Sequence, residues 1–160
     1  AILYRRYVNR VYRYIYSRVG AKADAEDLTA QVFLEALEGL DGYREQGTFS
    51  AWLFTIAHRR LVDHYRRRRL ATFPLDEDRD SRTTSSNPLA KIVQEERLQR
   101  LAALMPRLGE KQQEMLRLRF AAGLTYGEMA TVLGSTEGAV TMAVHRLLRW
   151  LKAELEGSDG

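Results

Sequence analysis

Apolar residues recur every three or four positions along most of the chain, and no stretch alternates apolar and polar residues over the length of a strand. In residues 1–70 the apolar positions form three runs, which begin near Leu3, Asp24 and Thr48. Gly20 ends the first run and Gly42 the second, because glycine commonly follows a helix C-terminus. Thr48 is a typical N-cap for the third run. The pattern predicts a bundle of three helices joined by short turns.

The carboxy-terminal part of the chain has the same periodicity, with glycines at its breaks. Thr125 and Thr136 can cap the helices that follow them. Gly134 permits a turn between these helices, and Val140 can pack back across it. This spacing predicts a helix-turn-helix, a motif that binds DNA in some proteins and other proteins elsewhere. The expected helices are Leu89–Met105, Glu110–Ala122, Thr125–Leu133 and Thr136–Leu155.

A polar, acidic segment separates the two helical parts and contains almost no large apolar residue. It covers residues 72–88 and is typical of a flexible linker. The predicted fold is therefore all-α, with one small helical domain over residues 1–71 and a second, containing the helix-turn-helix, over residues 89–160. Domains this small bury a limited share of their surface, so each is expected to be marginally stable alone.

Composition removes several classes of function. The 160 residues include no cysteine, which excludes disulfides, thiol catalysis and cysteine-based zinc sites. His58 and His64 are six residues apart, whereas two ligands on one helix face are four apart. No carboxylate pair or glycine-rich phosphate loop is visible, so we expect neither an enzyme nor a cofactor. No membrane span or export signal is visible either, and we expect a cytoplasmic protein.

The charge is divided into blocks, although the net charge is only +4. Residues 22–41 contain one lysine against six acids, and residues 59–69 contain six arginines against one aspartate. Blocks of opposite charge so close together suggest two different partners. The suggested partner of the basic block is nucleic acid. Two solvated helix faces would give the same pattern, and the charges alone leave both interpretations open.

Three segments together resemble the minimal, extracytoplasmic-function sigma factors of bacterial RNA polymerase. Residues 25–37 are similar to that family's polymerase-binding helix. The family's −10 melting and recognition helix is similar to residues 49–57 followed by Val62, Asp63 and the arginine run. Its −35-binding domain is similar to residues 116–155. The order of the three across a polar linker carries the resemblance, which covers nearly the whole chain. It implies a non-enzymatic transcription initiation factor.

The resemblance implies that the second helix binds the clamp helices of the largest polymerase subunit, and that the flap is a further contact. Four of the expected contact residues are hydrogen-bond acceptors for basic groups, and two are apolar anchors. Phe33 fits the helical core equally well. The expected polymerase-binding residues are Asp24, Asp27, Gln31, Phe33, Leu34 and Glu35.

Promoter opening requires aromatic surfaces for unstacked bases beside cations that hold the strand. The resemblance places this chemistry on the loop before the third helix and on that helix. Asp63 is expected to orient Arg59 or Arg67, and Trp52 fits the apolar stripe of its helix as well as a base-binding role. The expected −10 contacts are Tyr43, Trp52, Arg59, Asp63, Tyr65, Arg66, Arg67, Arg68 and Arg69.

The recognition helix departs from the family pattern, which reads Ser-Glu-Gly-Thr-Val-Lys-Ser-Arg. Here Ala139, Thr141, Met142 and Ala143 replace the Thr, Lys, Ser and Arg of that pattern, and no cation lies between residues 136 and 144. A helix in the major groove needs donors for bases and cations for phosphates. We therefore expect weak or unusual −35 recognition, helped by a recruiting protein. The expected −35 contacts are Thr125, Tyr126, Thr136, Glu137, Thr141, Arg146 and Arg149.

Family resemblance also implies an anti-sigma protein that covers the polymerase-binding surfaces. A conventional helix-turn-helix regulator with a sensing or dimerising amino-terminal domain remains the alternative. The basic end of the third helix and the aromatic residues of the 43–65 stretch argue against it, because a dimerisation domain needs neither.

Overall fold

The computed structural model describes residues 2–43, 47–70 and 88–157, with side chains described from residue 95 onward in the last range. All regular structure in these ranges is helical. Three long helices form an amino-terminal bundle, and four form a carboxy-terminal bundle. They are α1 (Ile2–Val19), α2 (Lys22–Glu38), α3 (Phe49–Leu70), α4 (Pro88–Leu104), α5 (Glu110–Leu116), α6 (Tyr126–Leu133) and α7 (Glu137–Gly157).

The amino-terminal bundle forms around the apolar stripes that the sequence shows. Val11, Tyr14 and Ile15 of α1 are fully buried against the stripes of α2 and α3. Gly20 ends α1 with a φ of 68°, a backbone conformation that glycine adopts without strain. The Thr48 hydroxyl accepts a 3.1 Å hydrogen bond from the Ala51 amide and so caps α3. The all-α fold and this cap are confirmed.

The second helix differs in extent from the expectation. It begins at Lys22 instead of near Asp24, and it ends at Glu38 instead of continuing toward Gly42. The amide of Gly39 closes the helix by donating to the Glu35 carbonyl, and a single 3-10 turn follows over residues 40–42. The early end brings the chain back toward α3, where Gly39 and Tyr43 lie close to Trp52 near the amino-terminal end of that helix.

The helix-turn-helix has the predicted caps. The Thr125 hydroxyl accepts from the Glu128 amide at 3.1 Å, while the Glu128 carboxylate accepts from the Thr125 amide at 2.9 Å. Gly134 takes the left-handed conformation, with φ 65°, at the turn. The Thr136 hydroxyl accepts from the Ala139 amide, and Val140 is buried as expected.

The helix expected over residues 110–122 is interrupted. α5 ends at Leu116, and one π-helical turn follows over residues 117–121, closed by a 2.9 Å bond from the Ala122 amide to the Arg117 carbonyl. The turn carries Leu118 into the core, where it is fully buried. π-helical turns are rare and occur mostly as single turns next to α-helical residues, and this one packs against α1.

The two bundles share one core, which the sequence did not predict. The π turn packs on α1, and α6 packs on α3. Arg10 of α1 donates from Nε to the Ala122 carbonyl at 2.7 Å, and the Thr48 hydroxyl donates to Glu128 at 2.7 Å. The linker expected over residues 72–88 lies almost wholly outside the described residues, and Pro88 is the first residue of α4. The domain boundaries therefore stay predictions.

A buried polar cluster, the interdomain hub, lies where the bundles meet. Its centre is Glu114 of α5, whose side chain is 6% exposed. Glu114 accepts a 2.6 Å hydrogen bond from the Tyr14 hydroxyl of the other bundle and a 3.1 Å bond from Arg117 of its own. His58 and Arg18, also from the amino-terminal bundle, approach the Glu114 carboxylate to 3.7 and 3.8 Å.

The hub decides the charge state of Glu114. Burial raises the pKa of Glu114, but His58, the Arg117 charge and the Tyr14 hydroxyl outweigh burial and lower that pKa from 4.5 to about 2. Burial and the Glu114 charge in turn raise the pKa of Tyr14 well above its usual 10. The carboxylate is therefore ionised and the phenol protonated at neutral pH.

The hub predicts a specific acid sensitivity. Because the pKa of Glu114 is depressed in the folded chain, its contribution to stability is complete above about pH 4.5 and is lost as the pH falls toward 2. We expect Glu114→Gln to remove this dependence, a difference of about 3 kcal/mol across the interval. Urea unfolding at stepped pH measures it.

The exposed Glu156→Gln provides the control, since it makes the same chemical change away from the hub. A Glu114→Gln protein whose free energy of unfolding falls with acid as steeply as that of the unmodified chain would contradict this account.

Candidate functional site

An apolar groove lies along the outer side of α2, between that helix and the start of α1. Its volume is about 460 Å³. Leu34 and Leu37 are largely exposed there, at 60% and 69%, and Phe33 is half-buried with its ring edge-on to Tyr4 at 5.0 Å. Exposed leucines side by side on one helix indicate a surface that another protein covers. Of the residues expected to bind a partner, Phe33 and Leu34 line this groove.

The acidic members of the expected set lie at different positions around α2. Asp27 is exposed on the same side as Leu34, because seven residues are close to two helical turns. Its carboxylate accepts a 3.0 Å hydrogen bond from Gln31. An exposed carboxylate beside an apolar groove can pair with a basic group on a partner.

Glu35 faces inward toward α3. Its carboxylate forms ion pairs with Arg60, at 2.8 Å, and with Arg59. Arg60 also donates to Gln31 at 3.3 Å, and Arg68 approaches Asp24 at 3.9 Å. The acidic segment of α2 thus neutralises part of the basic segment of α3.

An aromatic cluster covers the amino-terminal end of α3. The rings of Tyr43, Phe49 and Trp52 lie with centroids 5.0–5.8 Å apart. Trp52 is half-buried, which agrees with both of its expected roles, since part of the indole packs in the bundle and part reaches solvent. Gly39 makes room for it, because a Cβ at residue 39 would lie 3.5 Å from the Trp52 ring and 3.3 Å from a carbonyl oxygen.

Four of the expected −10 residues share one face of α3, which we call the α3 strip: Trp52, Arg59, Asp63 and Arg66. They follow at i, i+7, i+11 and i+14, so they form a line along the helix. The expectation that Asp63 orients Arg59 or Arg67 is wrong. Glu35 of α2 takes Arg59 instead, and Asp63 is exposed with no ion pair to any described residue.

The basic end of α3 continues the α3 strip. Arg66, Arg67 and Arg69 are exposed, and within the described residues they form no ion pair. Four consecutive arginines, from residue 66 to residue 69, present cations around the whole circumference of the helix end. Such a surface binds phosphates with little dependence on sequence.

Tyr65 lies away from the α3 strip. Its hydroxyl donates to the Arg18 carbonyl at 2.7 Å, and the Arg18 guanidinium lies 4.2 Å from the centre of its ring. Burial raises the pKa of Tyr65. The structure therefore places this expected −10 contact at the side of α3 that faces α1, near the interdomain hub.

The expected −35 residues divide into caps and exposed groups. Thr125 and Thr136 serve as caps. The half-buried Tyr126 packs under Arg119, whose guanidinium carbon lies 4.1 Å from the centre of the Tyr126 ring. The Thr141 hydroxyl donates to the Glu137 carbonyl at 2.7 Å, which occupies its hydrogen. The exposed residues of this set that do not serve as caps are Glu137, Arg146 and Arg149.

The exposed surface of α7 between residues 138 and 144 is weakly polar. Met142 is 65% exposed, beside the small side chains of Ala139 and Ala143. The Gln113 amide donates to the Met105 and Leu108 carbonyls and so stabilises the turn before α5. The recognition surface presents few donors to a base edge.

Sequence reasoning missed the residues that join the bundles. Arg10, Arg18 and Tyr14 occur in the arginine- and tyrosine-rich pattern of α1, but nothing in that pattern distinguishes an arginine that bonds a distant carbonyl from an exposed one. Glu114 appears as an ordinary polar position of α5. Nothing in the sequence distinguishes it from the exposed polar residues beside it, because its partners Tyr14 and His58 come from the other bundle.

Two features are absent from the part of the chain that the structure describes. It contains no cluster of three or more histidines and acids able to hold a metal ion. None of its helices has the length and apolarity that crossing a bilayer requires.

Comparison with known proteins finds two family models, one matching the amino-terminal bundle and the other the carboxy-terminal bundle. Residues 3–71 match "Sigma-70 region 2" and residues 98–151 match "Sigma-70, region 4". The chain is 39% identical over 151 residues to the ECF RNA polymerase sigma factor BldN of Streptomyces coelicolor, covering 93% of this chain and 57% of that protein. The chain thus spans little more than half of this relative's length.

Two other likenesses extend over most of both proteins. The ECF RNA polymerase sigma factor SigD of Mycobacterium tuberculosis is 33% identical over 151 residues, covering 91% of this chain and 71% of that protein. The sigma factor RpoE of Bartonella quintana, solved with the anti-sigma factor NepR, has a TM-score of 0.72 at 20% identity, with 97% and 95% of the two chains covered. At that identity the structural likeness concerns the fold.

Proposed function

The chain belongs to the extracytoplasmic-function group of RNA polymerase sigma factors, and from this we propose that it binds core polymerase and directs it to specific promoters. It performs no catalysis itself, since the polymerase makes the RNA. It acts in the cytoplasm, where polymerase and promoter are. The observation that carries the proposal is that one small bundle holds both an exposed apolar groove and, on another helix, an aromatic and arginine-lined strip.

The apolar groove is the proposed polymerase-binding surface. Leu34 and Leu37 lose water when a partner helix covers them, and Asp27 at the edge of the groove pairs with a basic group of the clamp helices. Asp24, Gln31 and Glu35, which form contacts within the bundle, position α2 against α3. This division refines the expected set, in which all six residues contact the polymerase.

The α3 strip and the aromatic cluster are the proposed surface for the opened −10 strand. An unstacked base needs a ring to stack on, which Tyr43 and Trp52 supply, and the strand needs cations along its phosphates. Arg59, Arg66 and the rest of the arginine run supply these. The pairing of Glu35 with Arg59 and Arg60 holds α2 and α3 in register beneath this surface.

The proposed −35 contact is weak. Thr141 and Met142 stand where the family has cations or donors, and the first free cations of α7 are Arg146 and Arg149, about two and a half turns or more beyond the helix start. These can contact phosphates but not the bases at the tip of the helix. A recruiting protein would then supply part of the binding energy that places this factor on a promoter.

An anti-sigma protein is a further proposed partner. The Bartonella quintana sigma factor was solved in complex with an anti-sigma factor, and the fold of this chain follows that structure over nearly its whole length. The exposed leucines of the apolar groove are the surface that such a protein would cover to prevent polymerase binding.

Direct binding of the whole chain to core polymerase without DNA tests the proposal. We expect tight binding by fluorescence anisotropy, weakened about tenfold or more by Asp27→Lys and by Leu34→Ala, because each removes an exposed side chain that the partner would bind at the groove. Glu26→Lys is the matched control, because it reverses the same charge on the next residue of α2, about 100° around the helix.

Equal affinity for the unmodified chain and for both groove variants would exclude the groove as the polymerase-binding surface. No binding at all by the unmodified chain would exclude the function and favour the helix-turn-helix regulator, which a footprint on palindromic duplex DNA would then identify.

The arginine run predicts a salt-dependent contact with single-stranded DNA. We expect Arg66→Gln with Arg69→Gln to reduce the slope of log affinity against log salt by about 0.7 for each phosphate that is no longer neutralised. Titration of a fluorescent −10 non-template strand at several salt concentrations measures the slope. Arg5→Gln with Arg13→Gln removes the same charge from exposed positions of α1 and should leave the slope nearer its original value.

The weak −35 contact predicts a gain of binding. Thr141→Lys restores a cation of the family pattern, and we expect it to steepen the salt slope for a −35 duplex by about 0.9 and to raise affinity at low salt. Thr131→Lys is the matched control, since Thr131 is exposed on α6 and its hydroxyl makes the same bond to the carbonyl four residues earlier. Tight, sequence-specific duplex binding by the unmodified full chain at physiological salt would contradict the weak contact.

A further inference from the structure

A second groove, which we call the interbundle groove, lies where the two bundles meet. Its volume is about 1310 Å³, and the end of α1, the π turn, α4 and the second half of α7 form its walls. Three large apolar side chains in these walls, Leu98, Phe120 and Leu148, are 55%, 61% and 36% exposed. Apolar side chains exposed together in a groove indicate a surface that another segment covers.

Cations line the interbundle groove together with these apolar side chains. Among the residues that the structure describes, four arginines and one lysine line it, against the single acid Glu156. Two of these cations, Arg97 on α4 and Lys152 on α7, are exposed and form no ion pair with any described residue. A groove of this composition favours an occupant that carries acids beside apolar anchors.

Arg117 adds a buried hydrogen-bond donor to the same groove. Its side chain is 8% exposed, and one terminal nitrogen donates to Glu114 at 3.1 Å. Its Nε is buried and forms no hydrogen bond with any described residue. A buried donor without an acceptor is costly, and since Arg117 lines the groove, an occupant rich in oxygen acceptors can satisfy it.

The chain itself contains a segment with the complementary pattern. Residues 71–87, which join α3 to α4, lie outside the described residues. In their sequence the apolar triplet Phe-Pro-Leu, residues 73–75, comes directly before residues 76–80, of which all but Arg79 are acidic. Apolar anchors followed by a block of acids match a groove in which exposed apolar side chains lie among cations.

The segment joins two helices that lie at the interbundle groove. Tyr65 of α3 donates to the carbonyl of Arg18, which lines the groove, and α3 ends at Leu70, about 7.5 Å further along the helix. Residue 73 follows that end by about 10 Å of extended chain. At the other end the segment leads into α4, which contributes Leu98 to the groove. The apolar triplet can therefore reach the groove without any change in the helices.

We propose that residues 73–80 dock in the interbundle groove of their own molecule. The apolar triplet covers Leu98 and Phe120, and the acids that follow it pair with Arg97 and Lys152. This inference concerns the free chain and does not rest on the proposed function. A partner that offers an apolar helix to the same groove must displace the segment, so the acids of the segment tune the affinity of that partner.

The tether makes the chain's own segment a stronger occupant than a second copy of the chain. A segment on a short flexible tether acts at an effective concentration of about 1 mM, so a dissociation constant of about 0.1 mM for the untethered segment gives about 90% occupancy. Two copies that met groove to groove would instead bring cations such as Arg97 and Lys152 together, and these repel each other.

Thiol reactivity of the free, full chain tests the docking. Because the chain has no cysteine, Ser17→Cys on α1 and Ala121→Cys on the π turn each place a single reporter in the groove with little change in size. At about 90% occupancy we expect each thiol to react with a maleimide about tenfold more slowly than when the segment is undocked. Asp76→Asn, Glu77→Gln and Asp78→Asn together should remove most of this protection, as should Phe73→Ser with Leu75→Ser.

Ser135→Cys is the matched control for the reporters, because it makes the same change as Ser17→Cys at an exposed serine outside the groove. Its rate should not depend on the sequence of the segment. Thr83→Ala with Thr84→Ala is the control for the segment, since it changes neither the acids nor the apolar triplet and should leave the protection intact. Circular dichroism verifies that each variant remains helical.

Reporter rates that are the same with the original segment and with both altered segments would overturn the proposal. Protection that decreases on tenfold dilution would also overturn it and would identify a second copy as the occupant, because docking within one molecule does not depend on concentration.

A labelled peptide of residues 71–82, added to the full chain that carries the three acid replacements, provides an independent measurement. We expect a dissociation constant of about 0.1 mM, increased severalfold by Arg97→Gln with Lys152→Gln. The absence of saturable binding up to about 1 mM would contradict the docking.

Discussion

Helix α1 must be covered on two sides, and the rest of the structure follows from how this is done. One side packs against α2 and α3, as expected for a three-helix bundle. The other side carries Arg10, Tyr14 and Arg18, which pack and bond against the π turn and α5. Neither bundle is large enough to bury all of its apolar surface alone, so the second contact completes the core of both.

The opposite charges of α2 and α3 are largely matched within the bundle. The sequence suggested one partner for the acidic segment and another for the basic one. Glu35 instead holds Arg59 and Arg60, and Asp24 lies near Arg68. What remains for partners is what these pairs leave exposed, namely an apolar groove with Asp27 at its edge, the aromatic cluster, Arg59, whose side chain stays 55% exposed, and the arginines at the end of α3.

The sequence allowed the helices, caps and turn of the helix-turn-helix to be predicted because these depend on neighbouring residues. Thr48, Thr125 and Thr136 cap the helices expected of them, and Gly134 takes the left-handed turn. The end of α2 at Glu38 was missed, since it is fixed by the packing of Trp52 over Gly39, thirteen residues away.

Residue roles that depend on long-range contacts could not be predicted in the same way. Tyr65 matches the family pattern for a −10 contact, yet its hydroxyl bonds Arg18 of another helix. Asp63 has the spacing to orient an arginine four residues away. Arg59 pairs instead with the carboxylate of Glu35, because Glu35 lies on α2, which the core of the bundle holds against α3. Glu114 shows no distinguishing signal until two distant segments meet around it.

The polar contacts at the interface are divided so that each bundle also satisfies polar groups of its own. Tyr14 and His58 lie 3.3 Å apart within one bundle, and Glu114 and Arg117 are bonded within the other. Glu128 exchanges capping bonds with Thr125 of its own bundle in addition to the bond from Thr48. The helices and caps of each half are therefore complete without the other half, and the contacts between the halves fix only their relative position.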